Sequence, residues 1–267
     1  MGRLKDDPVL RIFNEVLRLE RLHYGLWAPE EEVSFEHLKI AQKRYEDFLI
    51  ENIPNGAKRV LDVGCGTGML AEQLKNRGYD VEALSPDINQ KEIVEKRGVF
   101  PFHLCCFEDF SPDGSFDCIV MSESSQYIRL PLLFKVAARS LAKDRYLLIS
   151  DYFTLPGATG ALSKSGHDYA ELMAEAKSER FELITEKDIT NEVAKTLDLA
   201  RLYTERLMRA AEIYESKLRK SHPYLVGLGL WLFRNKIKTW KGQLDLIDSN
   251  KFKETKAYRV LLFRLEG

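Results

Sequence analysis

Two hydrophobic rhythms alternate along residues 59–189. Short apolar runs bounded by turn residues predict strands: RVLDVG (59–64), DVEALS (80–85), PFHLCCF (101–107), FDCIVMSE (116–123), RYLLISDYF (145–153) and RFELITEKDI (180–189). Between them, GMLAEQLKNRG (68–78), PDINQKEIVEKRG (86–98), PLLFKVAARSLA (131–142) and DYAELMAEAKSE (168–179) place apolar residues at helical spacing. Pro86 and Asp87 mark a helix start; Gly78 and Gly98 mark helix ends. Alternation of this kind predicts βαβ units, and hence a parallel sheet with helices on both faces.

The flanks read differently. VLRIFNEVLRL (9–19) and FEHLKIAQKRYEDFLI (35–50) carry a helical period, with HYGLWAPEEE (23–32) as the loop between them. Residues 191–241 form a long helical stretch. In its first part Val193, Leu197, Ala200, Thr204, Leu207, Ala211, Tyr214 and Leu218 define one helix face. That face is expected to pack on the sheet or on the N-terminal helices. A seam between two copies is the alternative, so a monomer or a homodimer is expected. KAYRVLLFRLEG (256–267) predicts a last strand, antiparallel at or near the sheet edge. The expected organisation is an N-terminal helical lid over 1–55, a core over 56–190, a helical insertion over 191–245, and a C-terminal segment, 246–267, that completes the core sheet.

Composition trims the functions open to such a fold. With 45% hydrophobic and 30% charged residues, a packed core is expected rather than disorder. A net charge of −1 gives no general electrostatic reason to bind nucleic acid, and none is expected as a partner. Cys65, Cys105, Cys106 and Cys118 form no C-x-x-C pair and fall in or beside apolar runs. They read as reduced core thiols, and no metal site is expected. MGRLKDDPVL carries charges where a signal peptide needs an apolar run. The longest apolar stretch, YLVGLGLWLF (224–233), is half the length of about 20 residues that a spanning helix needs. A cytoplasmic protein is expected. Arg234, Lys236, Lys238 and Lys241 follow that stretch, making 222–241 a candidate for peripheral membrane contact; a capping helix with a solvated basic end is the plainer reading.

Gly64, Gly66 and Gly68 follow the first strand and open the first helix of the core. Glycines let the backbone take positive φ and approach a ligand closely, and the helix start offers free N–H groups. The third glycine comes one residue too early for a dinucleotide fingerprint, where Met69 stands instead, and no G-K-[ST] follows for a P-loop. A ribose-binding acid is expected about twenty residues on, at the end of the second strand, but Ala83, Leu84 and Ser85 occupy that position.

VLDVGCGTG (60–68) resembles motif I of the class I S-adenosylmethionine-dependent methyltransferases. LHYGLW (22–27) is similar to the H-[YF]-G-x-W element of members acting on lipids and other small molecules, the tocopherol, sterol and cyclopropane-fatty-acid groups. CFEDF (106–110) and EKDIT (186–190) are similar to their W-E-[DE]-F and D-I-T elements. The resemblance covers residues 20 to 190 and the last strand. It implies a Rossmann-like α/β fold with a seven-stranded, mostly parallel sheet and helices on both faces, with S-adenosyl-L-methionine as cofactor. It implies that Asp62 receives the cofactor's ammonium, that the N–H groups from Gly64 through Cys65 and Gly66 to Gly68 meet its carboxylate, and that Phe107 and Glu108 take the adenine. Tyr24 and Trp27 come with the N-terminal element, and Ser122 lies at the strand end facing the sulfonium. The cyclopropane-type relatives hold the ribose with neutral side chains, for which Ser85 and Gln90 are the candidates here, while Asp87 reads as a charge at a helix start.

Methyl transfer needs in-line positioning, and a base only where the acceptor loses a proton. Candidates for that base are His167 in KSGHDY, Tyr127 and Glu123 in SESSQYI, and His23 in the N-terminal loop. Gln126 and Tyr127 stand where the cyclopropane group has E-H, which speaks against cyclopropanation. The Leu-, Tyr-, Phe- and Trp-rich flanks suit a small, lipophilic acceptor. The expected function is methyl transfer from S-adenosylmethionine to such an acceptor. The alternative from another class is a non-catalytic cofactor-binding or scaffold protein on the same fold.

Overall fold

A computed structural model of the protein describes residues 18–112, 115–224, 227, 232 and 243–267. The alternating pattern becomes α1 (Phe35–Glu51), β1 (Arg59–Val63), α2 (Met69–Asn76), β2 (Asp80–Ser85), α3 (Ile88–Arg97), β3 (Phe102–Leu104), β4 (Phe116–Ser122), α4 (Leu130–Ser140) and β5 (Leu141–Thr154). Then come β6 (His167–Asp168), α5 (Tyr169–Ser178), β7 (Phe181–Asp188), α6 (Thr190–Ser221), α7 (Ser249–Thr255) and β8 (Lys256–Leu265). The expected third strand shrinks to three residues because Phe107–Asp109 turn as a 3-10 helix.

The sheet runs β3-β2-β1-β4-β5-β8-β7. β1 to β5 pair in parallel, and β8 is antiparallel to both β5 and β7. This is the mostly parallel α/β sheet that the sequence pattern implies, with one addition. β4 ends opposite Ser150, and β5 continues to Thr154. The space β4 vacates is filled by β6, pairing His167 with Phe153.

Helices cover both faces, and strand alternation divides the core between them. Leu61, Ile119 and Met121 face α4 and α5 through Leu133, Phe134 and Leu172. Val60, Cys118 and Val120 face the other way, where Tyr45 and Leu49 of α1, Leu70 and Leu74 of α2, Val193 and Leu197 of α6 and Phe252 of α7 pack. Asp62, Ser122 and Ser150 share the parity of this second face. Their polar ends therefore come out under α1, at the carboxyl ends of the strands.

The long helix face is buried only at its start. Val193 and Leu197 are in the core, but Leu207, Tyr214 and Leu218 are 70%, 68% and 50% exposed among the described residues. With about 1.5 Å rise per residue, the 32 residues of α6 run for roughly 48 Å, and only the first turns are buried against the rest of the fold. The helix expected over 9–19 falls largely, and the apolar–basic segment 224–241 almost wholly, outside the described residues. No helix among the described residues is long and apolar enough to cross a membrane.

Candidate active site

A cavity of about 430 Å³ opens at the carboxyl ends of β1, β2 and β4. That volume is within the usual range for a small-ligand pocket. The glycine turn forms its floor. Gly64 has φ +75°, and a Cβ there would stand 2.4 Å from Ser124 Cβ, so only glycine fits. Gly66, with Cys65 and Thr67, lines the cavity. Gly68 does not line it: a Cβ there would meet Phe100 and Val94 at 3.0 and 3.1 Å, so this glycine lets the start of α2 lie close to α3 and the loop that follows it.

Asp62 stands at the end of β1 with 1% of its surface exposed, and its Oδ2 has no hydrogen-bond partner. Burial and then the nearby Glu46 carboxylate push its pKa up to about 7, against the pull of His23. Glu46, on the buried stripe of α1, is saturated by contrast. It accepts from Arg21 Nε at 2.8 Å and from Gln73, and lies 3.3 Å from His23 Nε2. Burial works against a charge on His23, but Glu46, Glu123 and the Tyr24 carbonyl together outweigh it, and the ring titrates above its ordinary value. The result is one buried carboxylate oxygen without a hydrogen-bond partner, beside a carboxylate already engaged.

At the far end, Ser85 Oγ donates to Gln90 Oε1 at 2.6 Å, and Gln90 N–H donates to Asp87 Oδ1 at 2.9 Å. Ser85, Asp87 and Gln90 all line the cavity, and the Asp87 carboxylate is the N-cap of α3. Glu82 points away and pairs with Arg59 and His103. Phe107 and Glu108 close the wall beside them.

Ser122, Glu123, Gln126 and Tyr127 form the opposite wall. Glu123 has a left-handed backbone, φ +54°, uncommon for a side chain of its size. Its Oε1 accepts from Tyr24 N–H and from Tyr258 OH, both at 2.8 Å. Burial raises its pKa to about 7, although His23 and these two donors work to lower it. Asp151, raised by burial to about 6, is taken up by Ser125 Oγ and the backbone N–H groups of Gln126 and Tyr152.

Of the residues singled out from sequence, His23, Asp62, Gly64, Cys65, Gly66, Ser85, Gln90, Phe107, Glu108, Ser122, Glu123 and Tyr127 converge on this cavity. Tyr24, Trp27, Gly68 and His167 do not line it. Trp27 is buried and donates through Nε1 to Thr196 Oγ1 at 2.9 Å, locking the N-terminal loop onto α6. Tyr24 contributes its backbone, while its ring stacks against Phe252. His167 Nε2 lies 2.8 Å from the Ser125 carbonyl, behind the wall. Sequence reasoning passed over Arg21, Glu46 and Tyr258. Glu46 left a trace: with Gln42 it is a polar residue on the buried stripe of Leu38, Ala41, Tyr45 and Leu49.

The mostly parallel sheet finished by an antiparallel strand, with a glycine turn after its first strand, is the fold of the class I S-adenosylmethionine-dependent methyltransferases. The chain belongs to the methyltransferase domain family, whose model matches residues 37–196. It is an S-adenosylmethionine-dependent methyltransferase. An uncharacterized methyltransferase of Staphylococcus carnosus is 27% identical over 186 residues, 66% of this chain and 90% of that protein. A ubiquinone biosynthesis O-methyltransferase of Xanthomonas campestris is 28% identical over 130 residues, 46% of this chain and 54% of that protein. Among solved structures, geranyl diphosphate C-methyltransferase from Streptomyces coelicolor superposes with a TM-score of 0.66 at 16% identity, covering 94% of this chain and 92% of that one. The [4+2]-cyclase SpnF superposes at 0.69 and 17% identity, covering 97% and 92%. At such identities these two likenesses show the fold alone.

The site's chemistry fits the cofactor. An unpartnered buried carboxylate oxygen answers an ammonium. The glycine turn fits a carboxylate less widely than the sequence suggests: the N–H groups of Gly64 and Cys65 donate to the Leu84 carbonyl and that of Gly68 to the Cys65 carbonyl, which leaves Gly66, on the cavity wall, as the glycine whose N–H can answer it.

Proposed function

We propose that the protein transfers the methyl group of S-adenosylmethionine to a small, apolar organic acceptor that gives up its proton to Glu123. Asp62 would hold the cofactor's ammonium, the Gly66 N–H its carboxylate, Ser85 and Gln90 its ribose hydroxyls, and Phe107 its adenine. The cofactor supplies an electrophilic methyl group on a sulfonium. The N-terminal segment acts as a lid over a 56–190 core that 246–267 completes, with the insertion after residue 190 as a cap; in support, Arg21, Leu22 and His23 line the cavity and Trp27 ties their loop to Thr196 of α6. The apolar side chains of Leu22, Met69, Leu84 and Ile128 on its walls favour an apolar acceptor.

The observation that carries the proton step is Glu123 itself: a carboxylate on the cavity wall, held in left-handed backbone, with a pKa near neutrality. Such a group takes a proton at pH 7 and releases it again. The test is transfer of a methyl label from the cofactor into a metabolite extract, with the product identified by mass. Wild-type protein should label a small metabolite and Glu123→Gln should do so at least about tenfold more slowly. Tight cofactor binding with no labelled product would point instead to a non-catalytic cofactor-binding protein.

A further inference from the structure

Behind the cavity wall lies a buried set of hydroxyls that the methyl-transfer reading leaves unused. Tyr258 OH lies 2.8 Å from Tyr45 OH, and Tyr45 donates to Ser150 Oγ at 2.7 Å. Tyr45 and Tyr258 are wholly buried, and their rings meet edge-on with centroids 6.2 Å apart. These groups come from α1, β5 and β8, which only the fold brings together.

Tyr258 is fixed at every point. In the β5–β8 ladder it stands opposite Tyr152. Its N–H donates to Thr190 Oγ1 at 2.8 Å, and its carbonyl accepts from Ile189 N–H at 2.9 Å. From this anchored position the phenol reaches Glu123 Oε1, the same oxygen that accepts from Tyr24 N–H. Glu123 N–H donates to the Ser150 carbonyl at 2.8 Å, which ties its left-handed backbone to the strand carrying the next hydroxyl. Both hydrogen bonds to the carboxylate fall on Oε1, and Glu123 lines the cavity.

We propose that Tyr258 is a positioning residue: its hydroxyl clamps Glu123 Oε1 so that Oε2 is presented to the acceptor's proton. The proposal rests on Glu123 as the proton acceptor. A phenol held by backbone pairing aims a carboxylate more tightly than water does, and left-handed strain at Glu123 has to be offset by fixed partners. A donor to the ionised form also favours that form, so the clamp shapes the titration of Glu123. Other titratable groups facing it are His23 and Tyr24 of the N-terminal loop and Tyr45 of α1. From the sheet side come Asp151 and Tyr152 of β5, and Tyr127 lies on the adjoining wall.

The test is a carbon-13 NMR titration of the full chain labelled at glutamate Cδ, with the Glu123 resonance assigned by its loss in Glu123→Gln. Wild-type protein should titrate near the value of about 7. Tyr258→Phe keeps the buried ring and removes the donor, and should move the midpoint upward by about one pH unit. Placing 3,5-difluorotyrosine at 258 keeps ring and hydroxyl but strengthens the donor, and should move it downward. Tyr45→Phe, one hydroxyl removed from Glu123, should move it less than Tyr258→Phe. An unmoved midpoint in both position-258 variants, with Glu123→Gln slow in methyl transfer, overturns the clamp alone. Glu123→Gln transferring methyl at the wild-type rate removes the proton-acceptor reading, and the clamp's role with it.

Discussion

Ser85 Oγ donates to Gln90 Oε1 at 2.6 Å, joining the end of β2 to the first turn of α3 across the cavity edge. The same turn is capped by Asp87, whose carboxylate accepts the Gln90 N–H. The neutral pair and the acid therefore have different work to do. Replacing Ser85 and Gln90 together with Ala should weaken cofactor binding by about tenfold or more, the loss of one or two hydrogen bonds. Asp87→Ala should instead lower unfolding stability by about 1 kcal/mol through the lost cap. Calorimetric titration and denaturant unfolding of the three proteins separate the two effects.

Gly64 and Gly78 both adopt positive φ, +75° and +91°, but in different surroundings. A Cβ on Gly64 meets Ser124 at 2.4 Å, while one on Gly78 meets nothing within 4 Å. Gly78→Ala should cost about 1 kcal/mol of backbone strain. Gly64→Ala adds a clash and should cost about 2–4 kcal/mol, with loss of cofactor binding. Equal unfolding midpoints for the two variants would contradict this difference.

Burial of Asp62 makes stability depend on pH. Its pKa rises from 3.8 to about 7 on folding, so the folded chain holds this proton more tightly than the unfolded one. The contribution is fully present below about pH 4 and lost as pH rises towards 7. Asp62→Asn removes the titration. At pH 8 the cofactor-free variant should be more stable than wild type by about 1–3 kcal/mol, and the gap should narrow at pH 5. Thermal unfolding at the two pH values reads this directly.

The local pattern carried the strands and helices of the core, because period-2 and period-3.6 rhythms follow from which face is buried. It also carried the glycine turn; Ser85 and Gln90 stood out only through the family resemblance, as ribose candidates, and the hydrogen bond between them is a finding of the structure. The Tyr258–Glu123 contact was out of reach. It depends on β8 inserting antiparallel between β5 and β7, a long-range register that no local rhythm encodes. Arg21 and Glu46 were hidden for the same reason: Glu46 meets Asp62 only once α1 is laid across the strand ends. Trp27 looked like a ligand contact from its motif, yet Thr196 of α6 holds its indole N–H inside the fold. The exposed far half of α6 shows that an apolar stripe marks what can be buried, not how much sheet is available to bury it.

The most direct measurement is calorimetric titration of S-adenosylmethionine into wild-type protein and Asp62→Asn at pH 6, 7 and 8, in buffers of differing ionisation heat. An ammonium held by Asp62 requires the ionised carboxylate, so binding at low pH must expel a proton. Wild-type affinity should rise with pH through about 7 and flatten above it, by up to about tenfold per pH unit on the acid side, with buffer-dependent heat. Asp62→Asn should bind at least about tenfold more weakly at pH 8 and lose most of the pH dependence. Wild-type affinity in Asp62→Asn at pH 8 would contradict the assignment of the orphaned carboxylate to the cofactor.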